Sequence, residues 1–280
     1  MRSIKMKVFN SKTVYIVGGS SGIGLSIAQK LANKGANVII FARQKDRLEG
    51  ALQKIIRQGI SDTQKFSCMT MDISLKENVE TVIAEALSHF GVPDVLINCA
   101  GTVQPYCFEQ ITYEQFDEVM KINLYGARNT IAALLPHMKK QGGYIVNVSS
   151  MSGLIGAFGY TDYSASKFAL IGFSEALRSE LRQFGISVSV LCPPDTDTPL
   201  LEKENRTKPE ETKALTAKAN LMHPDEVADT LIKGMSKNKF LIIPGFEGKL
   251  LYLTKRLFPR LAEIVQDHEI EKVQNKKIQR

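Results

Sequence analysis

Thr13-Val14-Tyr15-Ile16-Val17 runs directly into Gly18-Gly19-Ser20-Ser21-Gly22-Ile23-Gly24, and a helical pattern follows over residues 24–34. An apolar β-branched strand, a glycine turn and a helix form the opening unit of a nucleotide-binding α/β sheet. Glycines at 18, 22 and 24 let the backbone turn tightly and come close to a pyrophosphate. The helix start supplies unpaired N–H groups and a partial positive charge. The spacing is G-x-x-x-G-x-G, not G-x-G-x-x-G, and glycine turns also arise for structural reasons. Its place directly after the first strand favours a dinucleotide site.

Outward from this unit the pattern repeats. Short apolar runs at 37–41, 68–71, 95–98, 144–148, 187–192 and 240–243 alternate with helical stretches at 46–58, 75–90, 113–140, 163–184 and 224–237. Near-continuous apolar strands between amphipathic helices predict a parallel sheet covered on both faces. Gly35, Gly59, Gly91 and Gly142 stop four helices, and Asp162 is placed to cap the helix that begins near Tyr163. The expected architecture is α/β: one doubly wound, Rossmann-like domain over residues 1–245. Residues 195–222 form a lid insertion and 246–280 an amphipathic C-terminal extension.

Composition narrows the function. The chain has 280 residues, 44% hydrophobic and 23% charged, which excludes a disordered or fibrous protein. The four cysteines form no C-x-x-C pair, and His89, His137, His223 and His268 show no ligand spacing, so no metal site is expected. The longest apolar runs resemble Val38-Ile39-Ile40-Phe41-Ala42, far short of a membrane span, and residues 14–17 are too short for a signal peptide core. The expectation is a cytoplasmic protein. Its net charge of +7 suits anionic partners, but no basic run interleaved with aromatics indicates nucleic acid.

The second strand ends Phe41-Ala42-Arg43. An NAD-selective site places an acid here for the ribose 2′-hydroxyl. Ala42 offers none, whereas Arg43, with Arg47 four residues on, offers guanidinium groups to a 2′-phosphate. NADPH is therefore the expected cofactor. Among eight tyrosines only Tyr163 has a lysine four positions later, Lys167, on the same helix face. A free phenol ionises near pH ~10, and lowering that to ~7 takes about 4 kcal/mol; a nearby ammonium works in that direction. Ser150 follows the 144–148 strand, at the sheet edge where such folds bind ligands, and its hydroxyl can donate to a carbonyl.

Gly18–Gly24, Asp72, Asn98-Cys99-Ala100-Gly101, Asn123, Ser150 and Tyr163-Ser164-Ala165-Ser166-Lys167 together resemble the short-chain dehydrogenase/reductase family over essentially residues 12–245. The resemblance implies that Tyr163 gives the proton and Ser150 orients the carbonyl. Lys167 would lower the tyrosine pKa and bind the nicotinamide ribose, with Asn123 holding a water in a relay to Lys167. It also implies cofactor contacts from Ser20, Ser21, Ile23, Asp72, Ile73, Asn98, Thr196 and Thr198, and a homodimer or homotetramer. Three positions depart from the pattern: Val17 for threonine, Cys99 for asparagine, and Pro193-Pro194 for Pro-Gly, which stiffens that turn.

The run Pro193 to Pro199, with Glu204-Asn205-Arg206-Thr207-Lys208-Pro209, resembles the branch of that family acting on a long-chain sphingoid ketone. Other carbonyl substrates (a steroid, a retinoid or a β-ketoacyl thioester) remain alternatives, as does an NADP-binding regulator without catalysis. Residues 246–265 interleave leucines and phenylalanines with Lys249, Lys255, Arg256 and Arg260, with Pro259 as a break. Two readings stand: peripheral contact with an anionic membrane, or an apolar side packed over the cleft or a partner subunit.

Overall fold

The computed structural model describes residues 9–217 and 220–278. Seven strands, β1 (Thr13–Val17), β2 (Asn37–Ala42), β3 (Phe66–Thr70), β4 (Val95–Asn98), β5 (Gly143–Val148), β6 (Ile186–Leu191) and β7 (Leu241–Ile242), form one sheet in the order 3-2-1-4-5-6-7. All pair in parallel. The order reverses between β1 and β4, whose carboxyl ends at Val17 and Asn98 are register partners. The crevice at such a reversal is where doubly wound sheets bind ligands.

Strand periodicity divides the core. Val14 and Ile16 point to a layer with α1 (Gly22–Ala32), α2 (Lys45–Ile56) and α9 (Pro224–Ser236). Tyr15 and Val17 point to the opposite layer with α3 (Lys76–Phe90), α5 (Gly126–Gln141) and α6 (Thr161–Leu181). Tyr15 is fully buried, and its hydroxyl donates to the Ala86 and Gly91 carbonyls (2.9 and 2.8 Å). A polar tip is thereby satisfied inside an apolar layer.

Two local expectations change. The single helix expected over 113–140 is interrupted: α4 (Tyr113–Met120) passes through one π-turn (Lys121–Tyr125) into α5. The extra residue turns Asn123 inward, where its amide bonds the Thr102 backbone; π-turns of this kind recur at functional sites. Asp162 is not the cap of its helix. The helix begins at Thr161, and the buried Asp162 carboxylate accepts the Tyr163 N–H within the first turn (2.6 Å).

The 195–222 stretch carries α7 (Pro199–Asn205) and α8 (Glu210–Thr216). Its ends are pinned together, since Asp197 N–H donates to Met222 O and Met222 N–H to Asp195 O, both at 3.0 Å. Beyond β7, α10 (Phe246–Leu257) and α11 (Pro259–Ile278) form a hairpin, with Pro259 starting the second helix as its missing N–H allows. No helix among the described residues is long and apolar enough to cross a membrane.

Candidate active site

The glycine turn sits at the mouth of the β1–β4 crevice, and its glycines are there for space. Gly18 has φ +81°, and a Cβ on it would lie 2.5 Å from the Ala100 nitrogen; a Cβ on Gly24 would collide with the Gly18 carbonyl oxygen. Three segments therefore meet backbone to backbone. No side chain caps the start of α1, which leaves its first N–H groups for a ligand. A Cβ on Gly22 would meet Thr198 Cγ2 at 2.9 Å, so the 195–222 connection closes directly over the turn.

From there a cleft of about 770 Å³ runs along the carboxyl ends of the strands. Gly18, Ser20, Ser21, Gly22, Ile23 and Gly24 line its head. Arg43 and Arg47, both exposed, flank the exit of β2, and Asp72 and Ile73 follow β3. One Asp72 oxygen is held by the Ser74 N–H and hydroxyl (3.0 and 2.7 Å). Thr196 and Thr198 contribute from the connection. These groups fit a dinucleotide phosphate: a cradle that any side chain would fill, a free helix start, and two guanidinium groups beside the second strand.

Ser150, Tyr163 and Lys167 line the other end. Ser150 follows β5 and caps a short turn by accepting the Ser152 N–H (3.1 Å). Tyr163 and Lys167 lie one turn apart on α6, with Lys167 Nζ 5.6 Å from the Tyr163 ring centre. Lys167 is 4% exposed and donates to the Val148 carbonyl (3.0 Å). Burial with no ion-pair partner among the described residues brings its pKa from 10.5 down to about 8. Burial pushes the Tyr163 phenol up, with the Ser150 hydroxyl partly opposing. That direction is opposite to the lowering expected from Lys167, because desolvation of the phenolate outweighs a lysine held against a carbonyl.

Two expected residues lie outside the cleft lining. The Asn98 side chain is engaged within the sheet: it donates to Asn147 Oδ1 (2.9 Å) and accepts from Thr130 Oγ1 (2.7 Å). It belongs to a buried polar ladder that continues from Asn147 to Ser174. The Asn123 amide bonds Thr102 and Ser166 and abuts Gly101, against which Lys167 Nζ also packs. Cys99 is a packing residue, its thiol pushed up to about 12 by burial.

The sequence missed a charged network at the cleft wall. Tyr160 has its ring 5.9 Å from that of Tyr163, and its hydroxyl donates to Glu204 Oε1. The same oxygen takes Lys208 Nζ at 2.8 Å, and Lys208 also approaches Asp195 Oδ2 at 3.5 Å. Lys208 and Glu204 are nearly buried. The Glu204/Lys208 spacing of four on a helical turn was the available signal, but nothing local announced that the pair is buried.

Comparison with known proteins agrees with this arrangement. The model of the short chain dehydrogenase family matches residues 12–209. The 3-ketodihydrosphingosine reductase of Mus musculus is 40% identical over 240 residues, 85% of this chain and 72% of that protein. The 3-dehydrosphinganine reductase of Danio rerio is 38% identical over 244 residues, 86% and 74% of the two chains. A crystal structure of a short-chain dehydrogenase from Streptomyces avermitilis superposes with a TM-score of 0.76 at 26% identity, covering 94% of this chain and 98% of that one.

Proposed function

Since the chain belongs to the short chain dehydrogenase family and is an oxidoreductase acting on a carbonyl or hydroxyl group with a nicotinamide dinucleotide, we propose that it reduces the C3 ketone of 3-ketodihydrosphingosine to sphinganine with NADPH. The observation that carries the chemistry is the convergence of Ser150, Tyr163 and Lys167 on one wall of the cleft whose head is the glycine turn. The sphingoid substrate rests on the similarity to the mouse and zebrafish reductases.

Residues 18–24 and the start of α1 would hold the pyrophosphate, and Arg43 and Arg47 the 2′-phosphate. Bound there, the cofactor supplies the hydride. The Ser150 hydroxyl donates to the ketone oxygen and fixes its position. Burial keeps the Tyr163 phenol protonated at neutral pH, the form needed by an acid that gives its proton to the developing alkoxide. The phenolate left behind faces Lys167, whose ammonium offsets the new charge. Tyr160, held by Glu204, supports the Tyr163 ring.

Cofactor oxidation by the purified protein, with 3-ketodihydrosphingosine dispersed in detergent, tests this. Turnover with NADPH well above that with NADH, and above that on a β-ketoacyl thioester or a ketosteroid, is expected. Activity on the thioester or steroid alone would discard the sphingoid assignment.

A further inference from the structure

The hairpin of α10 and α11 leaves an apolar face uncovered. Half of the large apolar residues exposed among the described residues, nine of eighteen, fall within residues 246–265, each 48–77% exposed. On α10 they form a stripe, Phe246, Leu250, Leu253 and Leu257, at the four-three-four spacing of one helix face. Phe258 continues it at the elbow, and Leu261, Ile264 and Val265 carry it onto α11. A concentration of this kind marks an interaction surface, where scattered exposed leucines would not.

Charge selects the occupant. Residues 246–265 hold four basic and two acidic side chains, a net of +2. Lys255 is engaged with Glu263 (3.0 Å), tying the two helices together. Lys249, Arg256 and Arg260 stand exposed along the apolar stripe. Cations flanking an apolar face match the lipid–water boundary of an anionic bilayer. Neither helix is both long and apolar enough to cross one, so the hairpin would lie in its surface.

The position of the face joins it to the cleft. A Cβ on Gly248 would lie 3.4 Å from Met151 Sδ, the residue after Ser150, and Tyr252, Met151 and Leu154 pack against the same small core of Val190, Cys192 and Ile243. Glu247 accepts a hydrogen bond from Asn220 of the 195–222 connection (2.7 Å). At the far end of α11, Lys277 pairs with Glu211 of α8 (2.7 Å). The hairpin thus borders the substrate end of the cleft and grips the connection over it at both ends.

We propose that the α10–α11 hairpin docks the protein on an anionic lipid surface, Leu250, Leu253 and Leu257 entering the acyl boundary and Lys249, Arg256 and Arg260 meeting headgroup phosphates. The inference stands on the exposed face and holds whatever the substrate proves to be. Co-sedimentation of the full chain with vesicles tests it, using phosphatidylcholine alone and phosphatidylcholine with about a quarter replaced by phosphatidylglycerol. Binding to the anionic vesicles is expected to exceed that to neutral ones by about tenfold or more, and to fall steeply with salt. Leu250→Glu/Leu253→Glu should lower it at least about tenfold, and Lys249→Glu/Arg256→Glu/Arg260→Glu should abolish the preference for anionic lipid. Both variants alter exposed positions, and an unchanged circular dichroism spectrum and melting temperature certify their fold. Equal binding to neutral vesicles, or binding undiminished in Leu250→Glu/Leu253→Glu, overturns the proposal. So does a wild-type oligomer that this variant dissociates in the absence of vesicle binding, which would assign the face to a second copy of the chain.

Discussion

At its head the cleft presents backbone, and at its foot side chains. The glycine turn of residues 18–24 is shaped by its own neighbours in sequence, and distant residues only approach it, Ala100 at Gly18 and Thr198 at Gly22. The foot is assembled from afar. Ser150 arrives on β5 and Tyr163 and Lys167 on α6, while Tyr160 is fixed by Glu204 from 44 residues on. Glu204 is held in turn by Lys208. The first construction suits what every dinucleotide shares, a pyrophosphate. The second, in the proposed reaction, would set a proton donor beside a substrate, and its cost includes burying Lys167, Glu204 and Lys208.

The difference is broken most directly by Tyr163→Phe. Removing the proton donor at the foot should lower turnover by about a thousandfold, while the dissociation constant for NADPH, measured by fluorescence titration, stays within about twofold, because the head is untouched. Turnover reduced less than about tenfold would remove Tyr163 from its role.

What could be read from the sequence follows the same division. The strands of the sheet were legible to within two residues, because β-branched runs such as Val38-Ile39-Ile40-Phe41 are buried on both faces and so carry their own signature. The glycine turn was legible because its steric demand is local. Ser150, Tyr163 and Lys167 were legible through resemblance, and the topology brings them to one wall. Asn98 was named through the same resemblance, and only the neighbouring strand shows that its side chain is engaged with Asn147. The Tyr160–Glu204–Lys208 network was illegible, since burial of a charge depends on what folds over it.

That network supplies the next effect. Glu204→Ala leaves the Lys208 ammonium nearly buried, facing only Asp195 at 3.5 Å, and frees the Tyr160 hydroxyl. Loss of one partner of a buried pair costs about 3 kcal/mol, readable as a lowered urea midpoint. Glu204→Ala/Lys208→Ala should recover part of the loss, since no uncompensated charge remains. If the single variant loses less than about 1 kcal/mol, the foot is no more dependent on distant charges than the head.

Arg43→Ala probes the head by the one side chain there assigned a selective role. Loss of a guanidinium on an exposed 2′-phosphate should weaken NADPH binding about tenfold and leave NADH nearly unchanged, as titration with each cofactor would show. Equal weakening of both would remove Arg43 from its role as reader of the 2′-phosphate.

The smallest effect is one of pH, and it separates function from stability at Lys167. Its folded pKa is about 8, lowered from 10.5 by burial. Below pH ~8 both folded and unfolded chains carry the ammonium, and the full cost of burying it weighs on the fold. Between ~8 and ~10.5 the unfolded chain binds a proton the folded chain lacks, so this group makes stability rise with pH, by at most about 1.4 kcal/mol per unit. Turnover runs the other way. Tyr163, raised by burial, keeps its proton across this range, but the ammonium that offsets its phenolate is lost, so reduction should slow about threefold between pH ~7.5 and ~8.5. Lys167→Met should abolish most turnover and melt at a higher temperature than the parent at neutral pH, the gap closing as the pH rises past 8. A variant that melts lower at every pH would mean that the Val148 carbonyl contact, not the charge, dominates what Lys167 does for the fold.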